Sequence, residues 1–139
     1  MLNIVICCNN GVCSGFFAKR LSRAVKERGM SQEVKFHFQA FQLFRQHYQE
    51  YDIAMLCPHL LHAAKTFLQE CHPDIPLYII PPRIYGSMHL DDLLEDAQEL
   101  LDIYKENPVN FVHFPDEPDP LHIKRERSHQ AWHKLHHKG

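Results

Sequence analysis

The sequence predicts an α/β domain built on a four-stranded parallel sheet of strand order 2-1-3-4, with helices on both faces and a C-terminal extension. Three observations carry that expectation. Short apolar runs at residues 2–7, 34–38, 52–57 and 75–80 alternate with amphipathic runs of helical period. Strands separated by helices pair in parallel, and right-handed crossovers leave few topologies. The chain has 139 residues and is 45% hydrophobic, enough to bury the core of one domain.

The elements follow in order. Leu2-Asn3-Ile4-Val5-Ile6-Cys7 is short, β-branched and almost continuously apolar, the pattern of a strand covered on both sides. After the turn that follows it, residues 15–28 put Phe17, Leu21, Ala24 and Val25 on one helical face, and Gly29 is placed to stop that helix. Val34, Phe36 and Phe38 alternate with Lys35 and His37, so this strand has two unlike faces. Residues 41–48 suit a short helix. Residues 52–57 form another buried strand, with Pro58 where a helix can begin. Residues 59–71 carry helical spacing at Leu60, Leu61, Ala64, Phe67 and Leu68, and Pro73 ends the run. Residues 75–80 make the fourth strand despite Pro76, and Pro81-Pro82 terminates it. Leu90, Leu93, Leu94, Ala97, Leu100, Leu101 and Tyr104 form a helical stripe that belongs to the core.

Composition then shifts. Residues 1–107 hold 10 Lys+Arg against 13 Asp+Glu, a net of −3, and residues 108–139 hold 5 against 4, a net of +1. The second segment also has six of the twelve histidines and four of the nine prolines, which divides the chain into a domain at 1–107 and an extension at 108–139. Within the extension, Phe111, Val112 and Phe114 can dock on the domain. Asp116-Glu117-Pro118-Asp119-Pro120 suits neither helix nor strand, and residues 123–138 suit a polar helix. On such a helix His129, His133, and His136 or His137 share a face able to bind Zn²⁺ or Ni²⁺. No cysteine or carboxylate at a suitable spacing completes a site there, so a solvated polar face is the favoured reading and no metal ligand is assigned.

Several function classes are set aside. A net charge of −2 gives no electrostatic case for nucleic acid. No run of about 18 apolar residues marks a membrane span. The N-terminus lacks the basic region and long apolar stretch of a signal peptide, so a cytoplasmic protein is expected, its five cysteines reduced rather than paired.

A ligand site in such a sheet lies beyond the carboxyl ends, where the winding reverses between the first and third strands. Cys7-Cys8-Asn9-Asn10-Gly11-Val12-Cys13-Ser14-Gly15 follows the first strand and Cys57-Pro58-His59 follows the third. A turn of small polar residues opening a helix points backbone N–H groups and a positive dipole end at an anion. Cys8 is then a candidate nucleophile, with the amides of Asn9, Asn10, Gly11, Val12, Cys13, Ser14 and Gly15 as the cradle. An ordinary thiol, with pKa near 8.5, gains thiolate character at a helix N-terminus. The plainer reading of Cys8 is a small hydrophobe ending a strand.

Three blocks resemble the enzyme IIB component of the bacterial phosphoenolpyruvate-dependent sugar phosphotransferase system, lactose/cellobiose type. Residues 4–14 are similar to that family's first strand and phosphocysteine loop, Cys-x-x-Gly-x-Ser-Thr/Ser. Ala54-Met55-Leu56-Cys57-Pro58-His59-Leu60 is similar to its third strand and the turn after it. Ile79-Ile80-Pro81-Pro82-Arg83-Ile84-Tyr85-Gly86 is similar to its last strand and a Tyr-Gly turn. The resemblance implies a carrier that takes a phosphoryl group from a phosphohistidine of IIA onto the loop cysteine. The carrier then passes it to a sugar held by the membrane component IIC, at the inner face of the membrane and with no cofactor. The Cys-x-x-Gly spacing selects Cys8 over Cys7, which becomes a core residue, and assigns residues 9–15 to phosphate. His59, Arg83 and Tyr85 are candidates for the crevice or a partner-docking surface. The alternatives are a polar helix start for His59 and a tight turn with an exposed arginine for the other two.

The chain departs from the family pattern at Cys13 and Gly15, where hydroxyl residues are usual, at His59, often glutamine, and at Pro81, often aspartate. Cys13 is either a weak phosphate donor, a partner for Cys8 under oxidation, or a plain replacement for serine. A divergent, non-enzymatic regulatory or interaction module of the same fold is the alternative function. Low-molecular-weight tyrosine phosphatases are similar in their sheet and also use a loop cysteine. They need an arginine seven positions after it to grip phosphate. That position holds Gly15 counted from Cys8 and Ser14 counted from Cys7.

Overall fold

The computed structural model describes residues 2–8, 12–82, 89–117, 123 and 127–136, with side chains except at residues 8, 12–18 and 133–136. β1 (Leu2–Cys8) has β2 (Val34–Ala40) on one side and β3 (Ile53–Leu56) on the other, and β4 (Leu77–Ile79) lies beyond β3. Every pairing is parallel and the order is β2-β1-β3-β4, the order expected from the sequence. Between and after the strands, the described helices are α1 (Val12–Glu27), α2 (Phe41–His47), α3 (Leu61–Cys71), α4 (Leu90–Glu106) and α5 (His129–His136).

The period of two along each strand sorts the core into two layers. Ile4, Ile6, Val34, Phe36, Ile53 and Met55 meet Leu21 and Val25 of α1 and Leu90, Leu93, Ala97 and Leu100 of α4. Val5, Cys7, Ala54, Leu56, Leu77 and Ile79 meet Phe41 and Phe44 of α2 and Ala64 and Phe67 of α3. Each fully buried leucine, isoleucine or phenylalanine in these layers contributes about 1.5–3 kcal/mol. The continuous apolar runs of β1 and β3 are what a strand needs when both of its faces are covered.

Element ends follow local chemistry. Gly29 adopts φ 67°, and the N–H groups of Gly29 and Met30 reach the carbonyls of Lys26 and Val25 at 3.1 and 3.0 Å. This pair of reversed bonds closes α1 where the glycine was expected to stop it. At its other end α1 begins earlier than the sequence suggests, at Val12 rather than Gly15, so only residues 9–11 separate it from β1. β4 is shorter than residues 75–80 because Pro76 has no N–H for the ladder; its carbonyl still accepts from Ala54 N at 3.0 Å. Pro58 opens a 3₁₀ turn, Pro58–Leu60, ahead of α3. α5 starts at His129, later than the residue 123 expected, because Ser128 caps it: Ser128 Oγ accepts from Ala131 N at 3.2 Å.

The segment after α4 covers the open edge of the sheet. Val112 N donates to Leu77 O at 3.1 Å, while Asn110 Oδ1 accepts from Leu77 N at 2.7 Å and Asn110 Nδ2 donates to Ile75 O at 2.9 Å. Asn110 thus replaces a neighbouring strand for the backbone of β4. Phe111 packs against one core layer, and Val112 and Phe114 are buried in the other. Asn110→Ala is expected to cost about 2–3 kcal/mol in urea unfolding, because it leaves Leu77 N–H and Ile75 C=O without these partners. Asn110→Asp keeps the acceptor for Leu77 N–H but sets a carboxylate oxygen against the Ile75 carbonyl, so it should destabilise as well.

At the far side of the sheet, His37 Nε2 donates to Asn3 Oδ1 at 3.0 Å and its ring meets Tyr51 edge-on at 5.0 Å. Burial, helped by the Lys35 ammonium, holds His37 below the ordinary imidazole value of 6.5. The unfolded chain therefore binds a proton here more readily than the folded one. The His37 contribution is whole above pH 6.5 and is lost as pH falls from there toward the lowered folded value. His37→Gln should flatten the fall in stability below pH 6.5, read from urea midpoints between pH 5 and 8.

Candidate functional site

The carboxyl ends of β1, β3 and β4 lie level with one another. Cys57 N donates to Cys7 O at 3.1 Å and Ile80 N to Leu56 O at 2.8 Å, which carries the pairing one residue past β3 and β4. Cys8 ends β1 in register with Ala40 of β2, and Leu56 of β3 lies beside Cys7. β1 is the strand from which the winding departs in opposite directions, so its carboxyl end opens on the crevice such sheets use for ligands.

Four residues beyond Cys8 the chain is helical. The backbone of Val12, Cys13, Ser14 and Gly15 forms the first turn of α1. The first four N–H groups of an α-helix have no partner within the helix, and the dipole makes that end positive. Four of the seven residues expected to hold an anion are thus the opening turn of a 16-residue helix rather than an irregular loop. Asn9, Asn10 and Gly11 lie outside the described residues, as do Arg83 and Tyr85.

Cys7 and Cys57 are closed off from solvent, at 0% and 1% exposure, within the layer beneath α2 and α3. A thiol buried there has no access to a phosphorylated partner. His59 is exposed in the 3₁₀ turn after β3, on the same edge of the sheet as the end of β1. Cys57 in extended conformation starts that turn, Leu60 N donates to Cys57 O at 3.0 Å, and Leu60 is buried. Anchoring Leu60 fixes the backbone on which His59 stands. The sequence reading brought Cys8, the start of α1 and His59 to one edge, and the structure has their backbones there.

Other polar groups were missed. Asp92 and Asp96 of α4 are buried, and their Oδ1 atoms accept from the N–H groups of Ser128 and His129 at 2.8 Å each. Two acids on one helix thereby meet the positive start of another. The signal was present: Asp92 and Asp96 are spaced i, i+4 and border the leucine stripe of α4, where a solvated acid is out of place. Asp116, Glu117 and His129 also converge, although 13 residues separate Asp116 from His129.

Among the described residues no helix is long and apolar enough to cross a membrane. A family model described as "PTS system, Lactose/Cellobiose specific IIB subunit" matches residues 3–96, well over half of the chain. No curated protein matches it.

Proposed function

The chain belongs to the lactose/cellobiose-specific IIB family of the sugar phosphotransferase system, and on that premise we propose that Cys8 is its phosphoryl acceptor. The observation that carries this reading is the placement of Cys8 at the end of the central strand, four residues before the start of a long helix. Residues 1–107 act as the carrier domain, and residues 108–139 are an extension whose Val112 and Phe114 pack into its core. The phosphoryl donor is a phosphohistidine of IIA, the acceptor is a sugar bound by the membrane component IIC, and the carrier works in the cytoplasm.

The chemistry is two displacements. The Cys8 thiolate attacks phosphorus, an S–P bond forms, the N–P bond breaks, and the departing imidazole takes a proton. In the second step a sugar hydroxyl attacks, an O–P bond forms, the S–P bond breaks, and the hydroxyl proton leaves as the thiolate is regenerated. Each step needs a nucleophile held in line and donors for the equatorial oxygens. The amides of residues 9–15 supply the donors, and the positive end of α1 favours both the thiolate and the phosphate. Residues 9–15 contain no arginine, so no fixed cation in the loop draws water chemistry onto the phosphocysteine. That suits a carrier whose adduct must survive until its acceptor arrives. His59, Arg83 and Tyr85 are assigned to partner recognition at the crevice.

The test is incubation with phosphoenolpyruvate, the general phosphotransferase proteins and a cognate IIA. A mass increase of about 80 Da, one phosphoryl group, should map to Cys8. An adduct on another residue, or none with several IIA partners, would overturn the proposal.

A further inference from the structure

The turn that follows the edge-covering segment holds Asp116 and Glu117, and α5 begins with His129. Ligand atoms from all three side chains lie within 4.8 Å of one another. His129 Nε2 is 2.8 Å from Asp116 Oδ1. The imidazole is fixed from several directions. It stacks flat on Phe114, with ring centres 4.0 Å apart and planes within 3°. Its backbone N–H is held by Asp96, and Glu99 Oε2 lies 4.0 Å from Nδ1. The turn is fixed too, because Glu117 N donates to the carbonyl of Phe114, itself buried in the core.

We propose that Asp116, Glu117 and His129 form a site for one first-row divalent metal ion, zinc above the others. One imidazole nitrogen and two carboxylate oxygens are a borderline donor set that suits Zn²⁺, and their two negative charges neutralise the dication. Glu117 Oε1 is shielded from solvent, so its charge acts on an adjacent ion through a medium less polarisable than water. Zinc bonds of about 2.0–2.2 Å require the His129–Asp116 separation to open to roughly 3.4 Å, a side-chain adjustment that leaves the backbone in place. Glu99 Oε2, 4.0 Å from Nδ1, adds a third negative charge near the site without a hydrogen bond to the ring. The ion fastens the turn to α5, closing the extension upon itself. These residues lie beyond the matched segment 3–96 and take no part in the carrier chemistry at Cys8.

The competing reading, from sequence spacing alone, is a metal site of His129, His133, and His136 or His137. Calorimetric titration of the full chain with zinc chloride in a non-chelating buffer separates the two. One ion per chain is expected, with Asp116→Asn and Glu117→Gln each weakening binding at least about tenfold. The triple substitution His133→Gln, His136→Gln, His137→Gln should leave affinity within about twofold. Unchanged affinity in both acid variants, loss in the triple variant, or no saturable binding overturns the proposal. Zinc K-edge absorption of the unsubstituted protein reads the ligand set even where a variant fails to fold. One imidazole with oxygen neighbours is expected, and two or more imidazoles overturn the assignment.

Discussion

Cys8→Ser is expected to abolish phosphoryl transfer through this chain, lowering the rate at least about 10⁴-fold, while leaving the fold in place. Serine keeps the size of the side chain, so the end of β1 and the start of α1 are undisturbed. Its hydroxyl stays protonated at neutral pH and is a weak nucleophile without an adjacent general base. Removing a nucleophile is among the largest single losses an active site can suffer. The two neighbouring thiols separate the effects of chemistry and packing. Cys7 is fully buried among Val5, Leu56 and the aromatic residues of α2. Cys7→Ser puts a hydroxyl into that layer and should cost about 1–3 kcal/mol of stability while transfer by the folded fraction continues. Cys13→Ser restores the hydroxyl residue usual in the family loop and should leave transfer at or above its original level. The assay is transfer of labelled phosphate from phosphoenolpyruvate through IIA to this chain, run beside thermal unfolding of each variant. Transfer retained in Cys8→Ser, or lost in a folded Cys7→Ser, would overturn the assignment.

The sheet was legible because its chemistry is local. Ile4 and Ile6 face one layer and Val5 and Cys7 the other, so β1 had to be apolar throughout. The same demand on β3 and the alternation at Val34, Phe36 and Phe38 fixed the order of elements before any contact was known. Gly29 announced the end of α1 because few residues but glycine adopt its φ of 67°. What the sequence hid depends on partners distant along the chain. Asn110 is an ordinary polar residue until the edge of β4 presents it with a bare N–H and a bare C=O. Asp116 and His129 are 13 residues apart, beyond any helical spacing, so the histidine run drew attention to positions 133 and 136 instead. The start of α1 was placed three residues late because Gly15 and Ser14 are indifferent helix formers. The helix nevertheless runs back to Val12, so Cys13, Ser14 and Gly15 present helical N–H groups instead of loop amides.

The segment after α4 is expected to matter to the stability of the sheet it covers, and Phe114→Ala measures how much. Phe114 is 1% exposed and sits in the layer formed by α1 and α4. Its ring meets Tyr78 of β4 edge-on at 6.4 Å and carries the stacked imidazole of His129 on its face. Truncating a buried phenylalanine removes its transfer free energy and leaves a cavity, together about 3–5 kcal/mol. Small domains have only about 5–15 kcal/mol in total, so this substitution removes a large share of it. Ending the chain after Asn107 should cost more. That truncation deletes Val112 and Phe114 from the core and strips Val112 N–H and the Asn110 amide from β4. It uncovers a strand edge, so the shortened chain should associate as well as unfold early. Urea unfolding of the Phe114→Ala variant and light scattering of the truncated chain read the two effects. A truncated chain that stays monomeric with an unchanged urea midpoint would show that residues 108–139 lie on the domain without supporting it.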